Sequence, residues 1–415
     1  MHTLDQLKSG ELSGIKRLSL AENLSSFPLE ILSLRDSLEI LDLSNNQLST
    51  LPDEFKQLNK LKIIFASNNC FESLPEVLGQ CQNLEMVGFK TNKIRLVPEN
   101  ALPQKLRWLI LTDNLIETLP DALGQRPRLQ KLALAGNRLS QLPPSLANSQ
   151  NLELIRISAN QLTQFPTQLF NLPKLAWLAF SGNPFSRVDA HQQSITEIPS
   201  VSYKLQNVLG QGASGVIYKA QWAAPQKNFP AEIAVKVFKG EVTTDGYPED
   251  ELSACLKAGH HPNLVKPLAQ VKENNYLALI MDLIPPSYQN LGLPPCLQSC
   301  TRDRFPEEFT LSIKEITKIV AQMESTLAHL QANQVCHGDL YAHNTLFDDG
   351  ANILFGDFGA ASIYHMLDRP QQAMIEKIEQ RAFHYFIDDL LSVCSEGDQH
   401  SPLFEQLKLR SKSRI

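Results

Sequence analysis

No run of apolar residues in this 415-residue chain approaches the ~18 needed to cross a bilayer. The N-terminal stretch Met1-His2-Thr3-Leu4-Asp5-Gln6 has no basic region followed by an apolar core, so nothing in it directs the chain to a membrane or to the secretory route. Positive charge is not in excess either. The 38 Lys and Arg stand against 44 Asp and Glu, and the net charge of −6 removes the electrostatic case for nucleic acid or an anionic membrane surface as a partner. Cysteine is scattered: Cys70, Cys81, Cys255, Cys296, Cys300, Cys336 and Cys394 form an odd set without paired CxxC spacings. The nearest pair, Cys296 and Cys300, has no His or further Cys beside it, which argues against a zinc site. Reduced, buried thiols and a cytoplasmic location are therefore expected. The length exceeds what one hydrophobic core usually serves, so two domains are expected as well.

What the chain does have is repetition. From Ile15 to Phe185 one template recurs, with leucine-like residues at positions 1, 4, 6 and 11, Asn at 9, and often Leu-Pro near the end. Asn23, Asn46, Asn69, Asn92, Asn114, Asn137, Asn160 and Asn183 mark the register in steps of 23, 23, 23, 22, 23, 23 and 23, which makes eight repeats. The apolar positions of each short strand fill a shared core, and the Asn side chain satisfies backbone groups where the chain turns. The pattern resembles the leucine-rich repeat family, which implies an α/β solenoid of horseshoe shape over 1–185. The residue before the second template leucine points to the concave face and reads Arg17, Ile40, Ile63, Met86, Trp108, Lys131, Leu154 and Trp177. With Phe65 and Ile110 in the neighbouring column, the apolar members of this set form a stripe. That stripe is expected to receive a protein substrate, a regulator or the chain's own second domain.

The template fades after Phe185, and the polar segment 186–202 reads as a short linker. Farther on, His337-Gly338-Asp339-Leu340-Tyr341-Ala342-His343-Asn344 is followed by Asp357-Phe358-Gly359. Asn344 lies five residues after Asp339 and Asp357 lies 13 after Asn344, which places a proton acceptor and two metal-binding groups at a spacing suited to phosphoryl transfer. Leu209-Gly210-Gln211-Gly212-Ala213-Ser214-Gly215 is a glycine-rich turn whose missing side chains let backbone N–H groups approach phosphate oxygens. Val216-Ile217-Tyr218 favours a strand directly after it, whereas a dinucleotide-binding turn needs a helix there.

Lys236 is bracketed by apolar strand residues and requires an anionic partner. Glu251 is the first choice, in a helix expected to end near Gly259, with Glu249 in reserve. Leu277 to Ile284 reads as a buried strand. The backbone of Asp282 to Ile284 is placed to pair with an adenine edge, with Met281 at the back of the pocket. Ile316, Ile319, Val320, Met323, Leu327 and Leu330 predict a long core helix over Leu311 to Ala332, directly before the His337 loop.

Together these parts resemble the protein kinase superfamily from about Tyr203 to the C-terminus. The resemblance implies an α+β two-lobed domain over 203–415 that binds ATP and Mg2+. Leu209, Gly210, Gly212, Gly215 and Ile217 would cover the nucleotide, Ala234 and Leu346 would sandwich its adenine, and Met281, Asp282 and Ile284 would line the rest of that pocket. Lys236 would pair with Glu251, Asp339 would take the proton of the accepting hydroxyl, and Asn344 and Asp357 would hold magnesium. His337, Phe358 and Cys255 would link the lobes. The repeat-plus-kinase arrangement resembles the compact cytosolic repeat kinases of bacteria, and implies a serine/threonine kinase whose repeats recruit a substrate or regulator.

Departures from the family pattern narrow this expectation. Gly338 stands where many kinases have Arg, so the usual clamp on a phosphorylated activation loop cannot form, and activity should not need loop phosphorylation. Tyr341 and His343 leave the choice between Ser/Thr and Tyr acceptors open. No Ala-Pro-Glu follows Gly359, and only 56 residues remain after it, so a shortened C-terminal lobe is expected. Glu379 is expected to begin the helix that anchors the catalytic loop, and Ser362 and Tyr364 are candidate autophosphorylation sites. Two other readings fit the residues. One is a small-molecule phosphotransferase of aminoglycoside or choline kinase type. The other is a repeat scaffold that binds nucleotide without turning it over.

Overall fold

Each turn of the repeat yields one three-residue strand that begins at the residue singled out above: β1 (Arg17–Ser19), β2 (Ile40–Asp42), β3 (Ile63–Phe65), β4 (Met86–Gly88), β5 (Trp108–Ile110), β6 (Lys131–Ala133), β7 (Leu154–Arg156) and β8 (Trp177–Ala179). They form one eight-stranded sheet in chain order. The pairing is parallel, and equivalent repeat positions face one another, as in Ile63↔Met86 and Met86↔Trp108. This computed structural model describes residues 2–187, 195–212, 214–239, 242–243 and 245–413, so 188–194 of the expected linker and Ala213 of the glycine-rich turn lie outside the described residues. The chain divides into two compact units: Met1–Leu175 with Asn183–Phe185, and Ala176–Gly182 with Ser186–Ile415. Strand β8 falls in the second.

In the first unit the middle residue of each strand, Leu18, Leu41, Ile64, Val87, Leu109, Leu132 and Ile155, is wholly buried. The asparagines do what their spacing predicts. Asn114 accepts from Ile94 N at 3.0 Å and donates to Phe89 O at 2.9 Å and Leu111 O at 3.0 Å, so one amide joins successive repeats. Leu51-Pro52 and Leu119-Pro120 lead into the 3-10 turns Asp53–Gln57 and Asp121–Gln125, with the proline at the N-cap. Proline suits that position because its fixed φ enters a helical turn at little cost and its missing N–H is not needed there.

The second unit contains a five-stranded antiparallel sheet, ordered β12 (Pro267–Glu273), β13 (Tyr276–Asp282), β11 (Glu232–Phe238), β10 (Gly215–Trp222) and β9 (Tyr203–Gln211). Its core is Tyr203, Ala220, Ile233, Val235, Ala269, Val271, Ala278 and Ile280. Residues 195–202, read as linker from their polarity, are tied to this sheet. Ile198 N donates to Gln270 O at 3.0 Å, and Ser200 N donates to Glu273 Oε1 at 2.8 Å.

With the N-terminal helix Leu4–Lys8 counted as α1, helix α2 (Pro248–Ala258) ends at Gly259, whose φ of 69° supplies the left-handed stop. Helix α3 (Ile313–Ala332) is started by a capping box between Ser312 and Glu315, and it buries all six apolar residues that predicted it. The catalytic-loop segment and the hairpin β16 (Thr345–Phe347) and β17 (Ile353–Phe355) follow. The strands β14 (Gln289–Asn290), β15 (Val335–Cys336) and β18 (Ser362–Ile363) are short. Helix α4 (Arg369–Leu391) opens on a second capping box, Asp368 with Gln371, and α5 (Pro402–Ser411) closes the chain. Glu379 therefore does not begin a helix. It is the eleventh residue of α4, because the Asp368 cap and Pro370 are the stronger start signal.

Candidate active site

Strand β11 carries Lys236, and its side chain forms an ion pair with Glu251 of α2. Asp357 Oδ1 stands 3.7 Å from the same ammonium. Burial works against a charged lysine, but the Glu251 and Asp357 carboxylates outweigh it and hold the Lys236 pKa above its ordinary value. Glu251 sits in the buried face of α2, while the alternative Glu249 is exposed. Asp357 has a left-handed backbone, φ 57° and ψ 75°, and its carboxylate accepts from Gly359 N at 3.4 Å. That turn leaves the Asp357 side chain exposed.

The loop carrying Asp339 is braced from several directions. Asn344 Nδ2 donates to Asp339 Oδ2 at 2.6 Å and to the Asp339 carbonyl at 3.1 Å. Glu379 Oε1 accepts from His337 N at 2.5 Å and from Gly338 N at 3.4 Å. Burial pushes the Glu379 carboxyl up to about 7 despite these bonds. His337 donates through Nε2 to Gly356 O at 2.9 Å and stacks on Phe355, and the Phe358 ring lies 5.2 Å from its own.

Sequence reasoning missed Asp303. It accepts from Ala342 N at 2.5 Å and His343 Nδ1 at 2.7 Å, and its neighbour Arg302 bridges Asp388 and Asp389 of α4. No sequence signal marks it, since it sits in irregular chain about 40 residues before the loop it holds.

Gly338 adopts φ +69°, and a Cβ there would stand 2.5 Å from Leu178 O and 2.8 Å from Ala360 O. The position is closed to any side chain. Leu178 belongs to β8, whose Trp177 is 1% exposed and stacks on Tyr341 at 4.7 Å and on Tyr385 at 5.3 Å. Its Nε1 donates to Leu340 O at 3.0 Å. Of the alternatives expected for the stripe, Trp177 takes the one within the chain itself: its ring is enclosed by the catalytic loop and α4. Ser362 and Tyr364 are likewise enclosed, at 0% and 1% exposure, and Ser362 Oγ accepts from Phe180 N and Ser181 N at 2.9 and 3.2 Å. Neither hydroxyl is presented as an acceptor.

Ile217 pairs with Gly210 and with Lys236 on its two sides, and Ala234 is the cross-strand partner of Met281. Leu209 lies in β9, Gly212 in the turn after it, Gly215 opens β10, Asp282 ends β13 with Ile284 just beyond, and Leu346 lies in β16. On the repeat sheet, Ile40, Phe65, Trp108 and Ile110 are half-buried, whereas Ile63, Met86 and Leu154 are buried. Lys131 Nζ lies 4.2 Å over the Trp108 ring. The accessible stripe is narrower than the sequence suggests, because equivalent side chains on adjacent parallel strands shield one another.

This arrangement of sheet, ion pair, braced loop and metal-type turn is that of a protein kinase domain. The family described as protein tyrosine and serine/threonine kinase matches residues 203–381, and leucine rich repeat families match 127–185 and 37–58. The chain joins leucine-rich repeats to a protein kinase domain. L-type lectin-domain containing receptor kinase V.7 of Arabidopsis thaliana is 31% identical over 42% of this chain and 25% of its own length. Serine/threonine-protein kinase 1 of the same plant is 30% identical over 41% of this chain and 19% of its own. The chain thus spans a quarter or less of either relative. A leucine-rich repeat protein of known structure from Leptospira interrogans matches 43% of this chain and 57% of its own at 26% identity, with a TM-score of 0.29. Among the described residues no helix is long and apolar enough to cross a membrane.

Proposed function

We propose that the chain is an ATP- and Mg2+-dependent protein kinase of serine/threonine type, located in the cytoplasm, whose repeats recruit a protein substrate or regulator. The observation that carries the reading is the convergence of Lys236, Glu251 and Asp357 within one unit that also holds the Asn344-braced Asp339. The donor chemistry fits the metal: Asp357 offers an exposed carboxylate and Asn344, its Nδ2 spent on Asp339, offers its carbonyl oxygen, both hard oxygen ligands of the kind magnesium takes. A cation held by these two would neutralise charge on the transferring phosphates.

Lys236, kept protonated, meets the α and β phosphates while Glu251 fixes its position. A Cβ at Gly210 or Gly212 would meet no atom within 4 Å, so both glycines leave room for a nucleotide beneath the turn. Asp339, oriented by Asn344, accepts the proton of the acceptor hydroxyl as its oxygen bonds to the γ-phosphorus of ATP and the bond from that phosphorus to the β–γ bridging oxygen breaks, releasing ADP. We assign the repeat unit to 1–185 and the kinase domain to 203–415. On the repeats, Ile40, Phe65, Trp108 and Ile110 are the apolar side chains left for a partner.

The test is to incubate the full chain with γ-labelled ATP, Mg2+ and casein, beside Asp339→Asn. Label on casein serine or threonine that falls at least a hundredfold in the variant supports the reading. Label on tyrosine alone overturns the acceptor class, and label indifferent to Asp339 overturns the kinase reading.

A further inference from the structure

The catalytic loop is held on one side by groups already familiar from the mechanism. On the other side stands a segment the mechanism does not use, Ala176–Gly182, which belongs to the same compact unit as the loop. Four observations meet there. The Trp177 ring lies parallel to Tyr341, at 5° between planes and 4.7 Å between centroids, and Tyr341 is two residues from Asp339. The indole also stacks on Tyr385 of α4 at 15° and 5.3 Å, and the Arg302 guanidinium lies 4.8 Å from the Tyr385 ring. The indole N–H is satisfied by Leu340 O, the carbonyl next to Asp339. The Leu178 carbonyl fills the space above Gly338 that a side chain would need, and Phe180 and Ser181 donate their backbone N–H groups to Ser362 just past the metal turn.

The stack extends further in the loop itself, since Tyr341 lies 4.8 Å from His343, whose ring is held by Asp303. Arg302, Tyr385, Trp177, Tyr341 and His343 are therefore linked by successive ring contacts that end in the catalytic loop. Large buried rings lose few rotamers on ordering and are well suited to such rigid support.

We infer that Trp177 is a positioning residue of this active site, and that the Trp177–Ser181 backbone takes the place of the basic residue and phosphorylated loop that brace the equivalent site where Arg occupies the Gly338 position. The inference rests on the kinase reading for its catalytic consequence. It acts through geometry: the indole fixes the Leu340 carbonyl and the Tyr341 ring, and these two residues follow Asp339 directly in the chain. Removing the indole would leave nucleotide contacts at Lys236 and the glycine-rich turn untouched while freeing Asp339.

The experiment compares wild type, Trp177→Phe and Trp177→Ala as full chains, with hydrogen exchange and steady-state transfer to casein. Exchange at the amides of 337–344 should rise at least tenfold in Trp177→Ala, while helix Ile313–Ala332 exchanges as in wild type. The same variant should lose at least tenfold in kcat with KM for ATP within twofold. Trp177→Phe keeps a stacked ring and loses only the N–H donor, so it should fall between the two. Loop exchange equal to wild type in both variants would overturn the inference, and so would exchange rising equally throughout the unit in both, which marks a merely structural residue. If Asp339→Asn transfers as well as wild type, the kinase reading falls, and the loop-exchange result still decides the positioning role.

Discussion

At the scale of single residues, Gly338 shows how a sequence departure acquires a cause. Read alone, a glycine in place of Arg says that one contact is missing. In the folded chain its φ of +69° and the Leu178 carbonyl 2.5 Å from any Cβ say that the position cannot hold a side chain at all. Restoring the arginine that many kinases carry here should therefore damage the enzyme. Gly338→Arg is expected to lower kcat for casein more than tenfold and to reduce stability by about 2 kcal/mol, from left-handed strain and steric overlap. A thermal shift and a kcat measurement on the purified variant check this; an unchanged kcat would mean that Leu178 yields readily. The Lys236 pair illustrates a different point at this scale: burial opposes charge, and two carboxylates around one ammonium decide the outcome.

At the scale of elements, α4 and the repeats carry two separate predictions. Glu379 projects from the middle of α4 into a fully buried position, and burial raises its pKa from 4.5 to about 7 although His337 N and Gly338 N favour the charged form. A raised carboxyl stabilises the fold while protonated, so its contribution is fully present below pH 4.5 and is lost as pH rises through about 7. Glu379→Gln keeps an acceptor oxygen and cannot ionise. The stability of wild type relative to this variant should fall by about 3 kcal/mol across that window, judged from urea midpoints at several pH values. A gap independent of pH would show that Glu379 ionises as readily in the fold as out of it.

In the repeats, Asn114 satisfies Ile94 N, Phe89 O and Leu111 O in a buried turn. Asn114→Ala strands these groups, and a loss of about 3 kcal/mol is expected in denaturant unfolding. A loss below 1 kcal/mol would mean that water or a local shift replaces the amide.

At the scale of the whole molecule, the short segment between the metal turn and α4 carries an expectation about regulation. Between Gly359 and the Asp368 cap there is room only for β18 and a turn, and Ser362 and Tyr364 within it are enclosed. With Gly338 in place of the usual clamp, no phosphate on this segment is required to order it. Treatment with a broad-specificity protein phosphatase should leave the rate of transfer to casein within twofold. A larger fall would show that the active form carries a phosphate elsewhere.

Much of this protein was legible before any coordinates. Helical spacing from Ile316 to Leu330 placed α3, the asparagine steps placed every strand of the repeat sheet, and the spacing from Asp339 to Asp357 marked the protein kinase domain, because each is a local pattern with one geometric solution. Asp303, the enclosure of Ser362 and the true place of Trp177 were not legible. Trp177 satisfies the repeat template like its counterpart Trp108, and nothing local tells the two apart. Only the tertiary fold, which stacks Tyr341 and Tyr385 on one indole from positions more than 160 residues away, decides that one ring braces the loop while the other stays on the repeat sheet. Periodicity and motif spacing are properties of neighbouring residues and can be read in order. Long-range packing depends on which surfaces meet, and the chain reveals that only once it is folded.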